Sequence, residues 1–563
     1  MSASIRVADH IFAHLAGGGV SHVFGVDGAD IEDLFDAAHF CTEVTAVPAQ
    51  HEFSAAAMAA GYSRSGAGLG VVMTSSGGAA LNVVPGLAEA LSSGVPVLAL
   101  IGQPSATSGP HGTADPLRAE TVFSAVSVFC ERVGEPADIL TALPRAIIAA
   151  CAGGPAVLLL PKDIQQSMLD PAGLRRHRDN GHAPRPRIGD PHPLTRALRH
   201  ARGPVTIIAG GQVARDDARA ELEGLRAVLR AGVACVPDAK DVAGCGSPSD
   251  LGVTGVVGHP SVAEAVADSA LCLLVGTRLP PMARAGLDAA LRSTRIVSLG
   301  SAPPHWPCTH VHTDDLQISL AQVRRALAGR RVGAADPMPH TELTPPPYDG
   351  AGVRYRPAMQ VLDRVLPDDV NVVVDTGNAG AAALHYLPAR RGGRFLVALG
   401  MAGMGYSFGA AIGMAIGRRR RTVVIAGDGA FYRHGMEVHT AIEHRLPVTF
   451  VLFNNNAHAM CATRERLHFG DQHSYNRFRP SRLGAGLSSM FPELSAVDVS
   501  ELDALAPALT AALAADGPSV VSVECSADEI PPFAPFLAAV EQPPIGARAV
   551  PGGHELVAVR ASA

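Results

Sequence analysis

Two polar clusters each follow an apolar run in the C-terminal third of the chain. Asp428 stands between Gly427 and Gly429 after the run TVVIA, and Asn455 lies in the triplet NNN after the run VTFVLF. A carboxylate, an amide oxygen and a nearby backbone carbonyl are hard oxygen ligands, which suit Mg²⁺ or Ca²⁺. The pattern therefore predicts a divalent-cation site formed where two strands end.

The glycines beside Asp428 add a second expectation. They let the backbone approach a phosphate closely, and a helix that begins after Gly429 offers free N–H groups to an anion. A lone GDG is a common turn, but GDG followed by NN after the next apolar run is more specific for a metal-bridged diphosphate. The alternative is two polar loops on an ordinary Rossmann-like sheet.

The elements that position these residues form three blocks. Apolar, β-branched runs alternate with Ala-rich helical stretches over residues 1–168, 193–330 and 351–545, and Pro-rich linkers separate the blocks. This alternation predicts an α/β fold with three doubly wound parallel-sheet domains, and the length of 563 residues fits about three domains. Open parallel sheets bind ligands beyond the carboxyl ends of their strands.

Composition and charge exclude several classes of protein. The net charge of −6 gives no reason to expect nucleic acid, and no apolar run reaches the roughly 18 residues that would indicate a membrane span. Nine scattered cysteines without a C-x-x-C pair indicate reduced thiols. The N-terminal segment lacks the apolar core of a signal peptide. We therefore predict a soluble, cytoplasmic protein.

The paired GDG and NN motifs resemble the thiamine diphosphate signature of the pyruvate decarboxylase and acetolactate synthase superfamily. The resemblance implies thiamine diphosphate and Mg²⁺ (or Ca²⁺) as cofactors, with pyrimidine-binding, central and diphosphate-binding domains in that order. It implies that the metal is bound by Asp428, the Asn455 side chain and the Ala457 carbonyl. The diphosphate would lie against Gly427, Gly429 and Ala430, and against the DTGNAG loop with Gly377 and Asn378.

A second segment, HEFSAAAMAAGYSR, resembles the family sequence that carries the activating glutamate. Glu52 follows a predicted strand and opens an Ala-rich helix. The resemblance implies that its carboxyl bonds to the cofactor pyrimidine and promotes the reactive tautomer. Without the resemblance, a carboxylate that stabilises a helix start would explain the same residue.

Three further segments resemble family loops around the cofactor. TSSGG places Thr74, Gly77 and Gly78 near the pyrimidine, and FGVDGAD places Gly28 near the substrate. GMAGMG resembles the loop that bends the cofactor, which implies that Met404 wedges between its two rings and that the Ala402 carbonyl accepts from its amino group. A plain core methionine is the alternative for Met404.

The middle block matches the family's central domain only loosely. GGQVA, Lys240 and GTRLPPMARAG lie where some relatives bind a nucleotide. FAD is therefore the less favoured alternative, and a purely structural central domain is favoured.

The substrate pocket is predicted from the stretch NNNAHAMCATRERLHFG. Met460 matches acetolactate synthases, whereas His458, Cys461 and Arg464 depart from them. Arg464 could bind an acceptor carboxylate or be a solvated helix residue. His458 could move protons in catalysis or be a packed loop histidine. Cys461 is treated as pocket wall.

The resemblance implies decarboxylation of a 2-oxo acid, with pyruvate favoured, and transfer of the acyl group to a carbonyl acceptor. Leu117 or Arg118 falls where relatives often have Gln, which argues against a true acetolactate synthase. A decarboxylase without ligation and a non-catalytic homologous subunit remain alternatives. The family also implies a homodimer or homotetramer with the active site at the subunit interface.

Overall fold

Three six-stranded sheets organise the chain. The computed structural model describes residues 4–105, 118–170, 186–244, 247, 249–329, 340–470 and 474–540. All neighbouring strands within these sheets are parallel, and helices cover both faces. The predicted fold class, three doubly wound parallel sheets, is confirmed. Within the described residues, every helix is too short or too polar to cross a membrane.

The N-terminal sheet has the strand order β3-β2-β4-β5-β7-β6, and a short antiparallel ribbon, β1-β8, lies beside it. The strands are β1 (Ile5–Arg6), β2 (His22–Val26), β3 (Thr45–Pro48), β4 (Gly70–Thr74), β5 (Val97–Gln103), β6 (Phe129–Arg132), β7 (Pro155–Pro161) and β8 (Met168–Leu169). The helices are Val7–Gly17, Glu32–Phe40, Glu52–Arg64, Gly77–Asn82, Val84–Ser93, Ala119–Ser124, Ile139–Cys151 and Lys162–Gln166.

The central sheet has the order β11-β10-β9-β12-β13-β14. Its strands are β9 (Val205–Ala209), β10 (Gly232–Cys235), β11 (Asp250–Val253), β12 (Leu271–Val275), β13 (Ile296–Gly300) and β14 (Thr309–His312). The helices are His192–His200, Gln212–Arg215, Arg219–Leu229, Pro260–Ala267, Pro281–Arg284, Asp288–Ser293 and Leu316–Ala326.

The C-terminal sheet has the order β16-β15-β17-β18-β20-β19. Its strands are β15 (Asn371–Val374), β16 (Phe395–Val397), β17 (Thr422–Gly427), β18 (Val448–Asn454), β19 (Ser495–Val499) and β20 (Ser519–Glu524). The helices are Tyr355–Val365, Asn378–Tyr386, Tyr406–Arg418, Asp428–His434, Val438–Glu443, Ala459–Phe469, Leu483–Met490, Leu502–Ala514 and Ala534–Val540.

A glycine stripe explains how the N-terminal and C-terminal domains pack together. The helices Glu52–Arg64 and Tyr406–Arg418 share one apolar core. A Cβ atom added at Gly61, Gly409 or Gly413 would collide with the backbone of the opposite helix. Small residues at these positions therefore let the two backbones approach, and both helices start at the same end of the interface.

Lys240 joins the central domain to the C-terminal domain. Its buried ammonium donates to the carbonyls of Ala383, Leu384 and Leu387 at distances of 3.2, 2.5 and 2.6 Å. These carbonyls lie at the C-terminal end of the helix Asn378–Tyr386, where a cation is favourable. The lysine therefore serves as a helix cap between domains.

Candidate functional site

The predicted metal ligands lie together at the carboxyl ends of two adjacent strands. Gly427 in β17 pairs with Phe453 in β18, so Asp428 and Asn455 leave neighbouring strands at the same edge. The backbone N–H of Ala457 donates to Asp428 Oδ2 at 3.2 Å and to Asn455 Oδ1 at 3.0 Å. Burial raises the pKa of Asp428 to about 6, although backbone N–H donors lower it.

The three asparagine side chains of the triplet have different hydrogen-bond partners. Asn454 is fully buried and donates to Ser481 O at 2.8 Å and to the Glu524 carboxylate. Asn456 has a left-handed backbone, with φ of 52°, and its Oδ1 accepts from Ser481 N at 2.8 Å. These two side chains fix the loop, while Asn455 keeps its amide oxygen beside Asp428 and Ala457.

The helix after Gly427 differs in one detail from the expectation. It begins at Asp428, and the Gly429 N–H donates to Asp428 Oδ1 at 2.9 Å instead of standing free. The backbone around Gly427 is open, since the nearest atom to a Cβ added there is Phe453 O at 3.8 Å.

The loop after β15 forms a second part of the site. Gly377 has φ of 129° with open space where a Cβ would lie, and Asn378 opens the next helix. The buried amide group of Asn378 and the hydroxyl of Thr376 form no hydrogen bond within the described part of the chain. Because buried polar groups are normally hydrogen-bonded, these two groups are candidates for hydrogen bonds to a polar ligand.

Asp375 links that loop to the predicted cofactor-bending loop. Its buried carboxylate accepts from Gly405 N at 3.0 and 3.1 Å and from Ser407 N at 3.0 Å. Burial raises the pKa of this carboxyl. The candidate residues named from the sequence omit Asp375, although its place directly after an apolar strand was a usable signal.

The backbone of the bending loop is strained at the predicted acceptor. Ala402 has φ of 52°, a conformation that L-residues rarely adopt, and Gly405 has φ of 91°. Met404 is half-buried, and its Cε lies 3.2 Å from the position of a Cβ added to Gly429. The loop therefore places Met404 beside the start of the Asp428 helix.

Glu52 begins its helix as predicted, directly after the N-cap residue His51. The Glu52 carboxylate is partly exposed and accepts from Asn82 Nδ2 at 2.9 Å. The next residue, Phe53, lies 3.2 Å from a Cβ added at Gly403. Within one chain the Glu52 helix thus contacts the bending loop, while the hydrogen bonds of Glu52 do not extend to the metal loop in the described structure.

The remaining N-terminal candidates lie at the same sheet edge as Glu52. Thr74 ends β4, is fully buried, and its hydroxyl makes no hydrogen bond to the described residues. Gly77 (φ of 65°) and Gly78 have open space where a Cβ would lie. Gly28 packs against Ser75, since a Cβ added at Gly28 would lie 2.8 Å from the Ser75 Cβ atom.

The predicted pocket residues lie on and before the helix Ala459–Phe469. His458 lies against Gly429, with its Nδ1 atom 2.5 Å from a Cβ added there, and that atom is buried without a partner in the described residues. Burial lowers the pKa of His458. Met460 and Cys461 are half-buried, whereas Arg464 is exposed.

Two predictions concern the segment around residue 117. Leu117 lies outside the described residues, as do residues 111–116 before it. Arg118 is described and exposed, with φ of 43°, directly before the helix Ala119–Ser124. Neither candidate is thereby placed against the site.

Comparison with known families defines the class of protein. Three models match in order: the thiamine pyrophosphate enzyme N-terminal TPP binding domain over residues 5–121, the central domain over 193–323, and the C-terminal TPP binding domain over 375–523. The chain belongs to the thiamine pyrophosphate (thiamine diphosphate) enzyme family, and its chemistry is thiamine diphosphate-dependent chemistry on 2-oxo acids.

Curated relatives narrow the comparison. The acetolactate synthase isozyme 2 large subunit of Escherichia coli (strain K12) is 28% identical over 91% of this chain and 94% of that protein. Sulfoacetaldehyde acetyltransferase of Castellaniella defragrans is 27% identical over 78% and 79%. The catabolic acetolactate synthase of Raoultella terrigena is 25% identical over 92% and 94%. The chain is similar to acetolactate synthases over about nine tenths of its length, 91% and 92% in these two cases.

The residues present fit the cofactor. Open glycines at 377 and 427 leave room for a diphosphate. The amide of Asn378 and the hydroxyl of Thr74, which have no partner among the described residues, are polar atoms to which the cofactor could bind. The single carboxylate of Asp428, with the Asn455 amide, suits a cation that also takes phosphate oxygens.

Proposed function

We propose that this chain decarboxylates a 2-oxo acid, with pyruvate favoured, and transfers the acyl group to a carbonyl acceptor. The product would be an acyloin or an acetolactate-like acid. The observation that carries the proposal is the convergence of Asp428, Asn455 and Ala457 at the ends of β17 and β18, in a chain that is similar to an acetolactate synthase over 91% of its length.

Each part of the site has a role in this proposal. Asp428, Asn455 and the Ala457 carbonyl would bind Mg²⁺, and Gly377, Asn378 and Gly427 would face the diphosphate. Bound thiamine diphosphate supplies the carbon nucleophile and accepts the electrons released with CO₂. Glu52 would hold a proton at the pyrimidine ring, and the strained Ala402 carbonyl would accept from the ring's amino group.

His458 is the candidate for proton transfer near the substrate. Burial lowers its pKa, so the ring is neutral near pH 7 and can accept a proton. Its buried Nδ1, which has no partner in the described part of the chain, lies next to Gly429, close to the predicted diphosphate loop. Glycine at 429 leaves the space that this ring occupies.

The active site is proposed to lie between two copies of the chain. Glu52 and Asn82 are solvent-accessible within one chain, which is unfavourable for a carboxyl that must act away from water. Leu81, Met401 and Met436 flank the site loops and are 38, 55 and 41% exposed. Exposed apolar side chains of this kind indicate a partner surface.

The decisive measurement for the reaction is mass spectrometry of products. Purified protein with thiamine diphosphate and Mg²⁺ would receive pyruvate alone, then pyruvate with a panel of aldehydes and 2-oxo acids. A mass of donor plus acceptor minus CO₂ is expected. CO₂ with free aldehyde would contradict ligation and assign a decarboxylase.

A complementation experiment tests the interface. Glu52→Gln and Asp428→Ala chains would each be inactive alone, and they would then be co-expressed. If a site combines Glu52 of one chain with Asp428 of another, mixed dimers contain one intact site and regain activity. No recovered activity in mixed dimers, verified by distinct affinity tags, would place the complete site within one chain.

A further inference from the structure

A buried glutamate of the C-terminal domain contacts the chain directly before Glu52. Glu437 ends the short 3₁₀ turn Gly435–Glu437 and is 1% exposed. Its Oε1 accepts from the backbone N–H groups of Gln50 and His51, both at 3.1 Å. The two partners are the residues immediately before Glu52.

Further contacts hold both sides of this contact in place. Glu437 Oε2 accepts from the hydroxyl of Thr440 at 2.8 Å, which orients the carboxylate. On the other side, His51 Nδ1 accepts from Phe53 N at 3.1 Å and so caps the Glu52 helix. Two side chains therefore hold residues 50–53: that of His51, within the segment, and that of Glu437, from the C-terminal domain.

Aromatic packing supports the same junction. The His434 ring lies 4.5 Å from the Phe53 ring and 4.8 Å from the His51 ring, measured between centroids. His434 also packs against Gly405 at the start of the helix Tyr406–Arg418. The start of the Glu52 helix is thus packed against the segment Asp428–Glu437, whose first residue is the predicted metal ligand.

We propose that Glu437 is a positioning residue that fixes the start of the Glu52 helix and thereby the place of the Glu52 carboxyl. The inference rests on the proposed role of Glu52 as cofactor activator. Two N–H groups that donate to one buried carboxyl oxygen form directional hydrogen bonds, which fix the position of the segment that carries them. A displacement of Glu52 by about 1 Å is enough to lower a rate by about 100-fold.

The test measures activation of the bound cofactor without substrate. Native protein and the variants Glu437→Ala and Glu437→Gln would be loaded with thiamine diphosphate and Mg²⁺. The rate of exchange of the cofactor C2 proton in D₂O would be measured by acid quench and NMR, and cofactor affinity by calorimetry. Glu443→Gln, an exposed position on the next helix, is the matched control.

We expect Glu437→Ala to slow exchange by about 10- to 100-fold, because Gln50 and His51 lose their acceptor. Glu437→Gln should stay within about threefold of native, since its amide oxygen can still accept both N–H groups. Cofactor affinity should change little in either, because the diphosphate and metal residues are intact.

Native exchange in a folded, cofactor-loaded Glu437→Ala protein would overturn the proposal. So would a Glu437→Gln protein as slow as the alanine variant, because position is preserved there and charge is lost. If the alanine variant does not fold, Glu437→Asp withdraws the carboxylate by one methylene, and a native rate in that variant would equally overturn it.

Glu52→Gln, measured in parallel, separates this inference from the proposed function. Native exchange in Glu52→Gln would reject Glu52 as activator, and the role of Glu437 with it. Slow exchange in Glu52→Gln with native exchange in Glu437→Ala would reject only the positioning role.

Discussion

The N-terminal and C-terminal domains each use a buried glutamate to hold a predicted cofactor loop of the other domain, with one difference. Glu437 of the C-terminal domain accepts from Gln50 and His51, before the Glu52 helix. Glu89 of the N-terminal domain, 2% exposed, accepts from Met401 N at 2.6 Å, next to Ala402. Each glutamate thus binds the loop that precedes a helix of the other domain, Glu52–Arg64 in one case and Tyr406–Arg418 in the other.

The difference is in the charge around the two carboxylates. Glu89 Oε1 lies 3.7 Å from the guanidinium of Arg64 and accepts from Ser93 at 2.9 Å. Glu437 is bonded by neutral donors, and burial raises its pKa to about 7. The loop before Glu52 is therefore held by a group that titrates near neutral pH, while the loop before Ala402 is held by a carboxylate with a cation beside it.

The largest effect should come from Glu52, the residue whose loop Glu437 holds. Glu52→Gln is expected to lower turnover by about 10²- to 10⁴-fold, because the amide cannot hold the proton that the carboxyl holds. Cofactor affinity, measured by calorimetry, should stay near native. Glu43→Gln, an exposed glutamate of the same domain, is the control. Retained turnover would reject the activator assignment and leave Glu437 without a function in catalysis.

Two adjacent asparagines give the next largest effect, on the C-terminal side. Asn455→Ala should weaken Mg²⁺ binding by about 10- to 100-fold, since a predicted ligand is lost. Asn454→Ala should instead lower the thermal midpoint, because its amide pairs with Ser481 and Glu524. Metal titration followed by calorimetry and thermal melting would show both. If Asn454→Ala instead weakened Mg²⁺ binding and Asn455→Ala lowered the thermal midpoint, Asn454 would be the metal ligand.

The pH dependence of stability tests the difference between the two glutamates. The pKa of Glu437 is raised from 4.5 to about 7, so the protonated carboxyl favours the fold. That contribution is complete below pH 4.5 and is lost as pH rises to about 7. Between pH 5 and pH 8, native protein should lose on the order of 1–3 kcal/mol relative to Glu437→Gln.

Urea unfolding of both proteins at pH 5 and pH 8 measures this difference. The other ionisable side chains around Glu437 are common to both proteins and cancel in the comparison; they are His51, Glu52, His434 and His439. Glu443→Gln should follow the native protein. Parallel pH profiles for native and Glu437→Gln would show that the buried carboxyl does not titrate in this range.

The smallest effect is expected at Arg464, outside the loops that the two glutamates hold. Its side chain is exposed on the helix Ala459–Phe469, which favours the solvated alternative over binding of an acceptor carboxylate. Arg464→Gln should change kcat/KM by less than about threefold, since an exposed charge contributes little. Steady-state kinetics with acceptors with and without a carboxylate would check this. A selective rise in KM for the carboxylated acceptors would restore the binding role.

Local sequence patterns were sufficient to predict the fold class and to place the candidate residues at the carboxyl ends of strands. Apolar runs of strand length ending at Asp428 and Asn455 predict parallel strands with polar side chains at their carboxyl ends, and β17 and β18 have those bounds. Glu52 at a helix start follows from the same kind of signal. The roles of these residues stay predictions, because a role depends on the bound cofactor.

Contacts between distant segments were decided by the tertiary structure. Lys240 is one of the positions that loosely match the nucleotide site of some relatives, yet its ammonium caps a helix of another domain. Asp375 had a usable signal, its place directly after an apolar strand, but its partners could not be predicted. The same holds for the partners of Glu89 and Glu437, because local sequence does not say which backbone N–H groups will donate to a carboxylate. Glu437 meets Gln50 across 387 residues, and Glu89 meets Met401 across 312.

The sequence by itself thus determined the elements and the chemical types at their ends, because helix and strand periodicity and strand-end chemistry are local properties. The tertiary structure decided which elements meet, because that depends on the close packing of the helices Glu52–Arg64 and Tyr406–Arg418 along their glycines. That packing brings the two buried glutamates to the loops of the opposite domains.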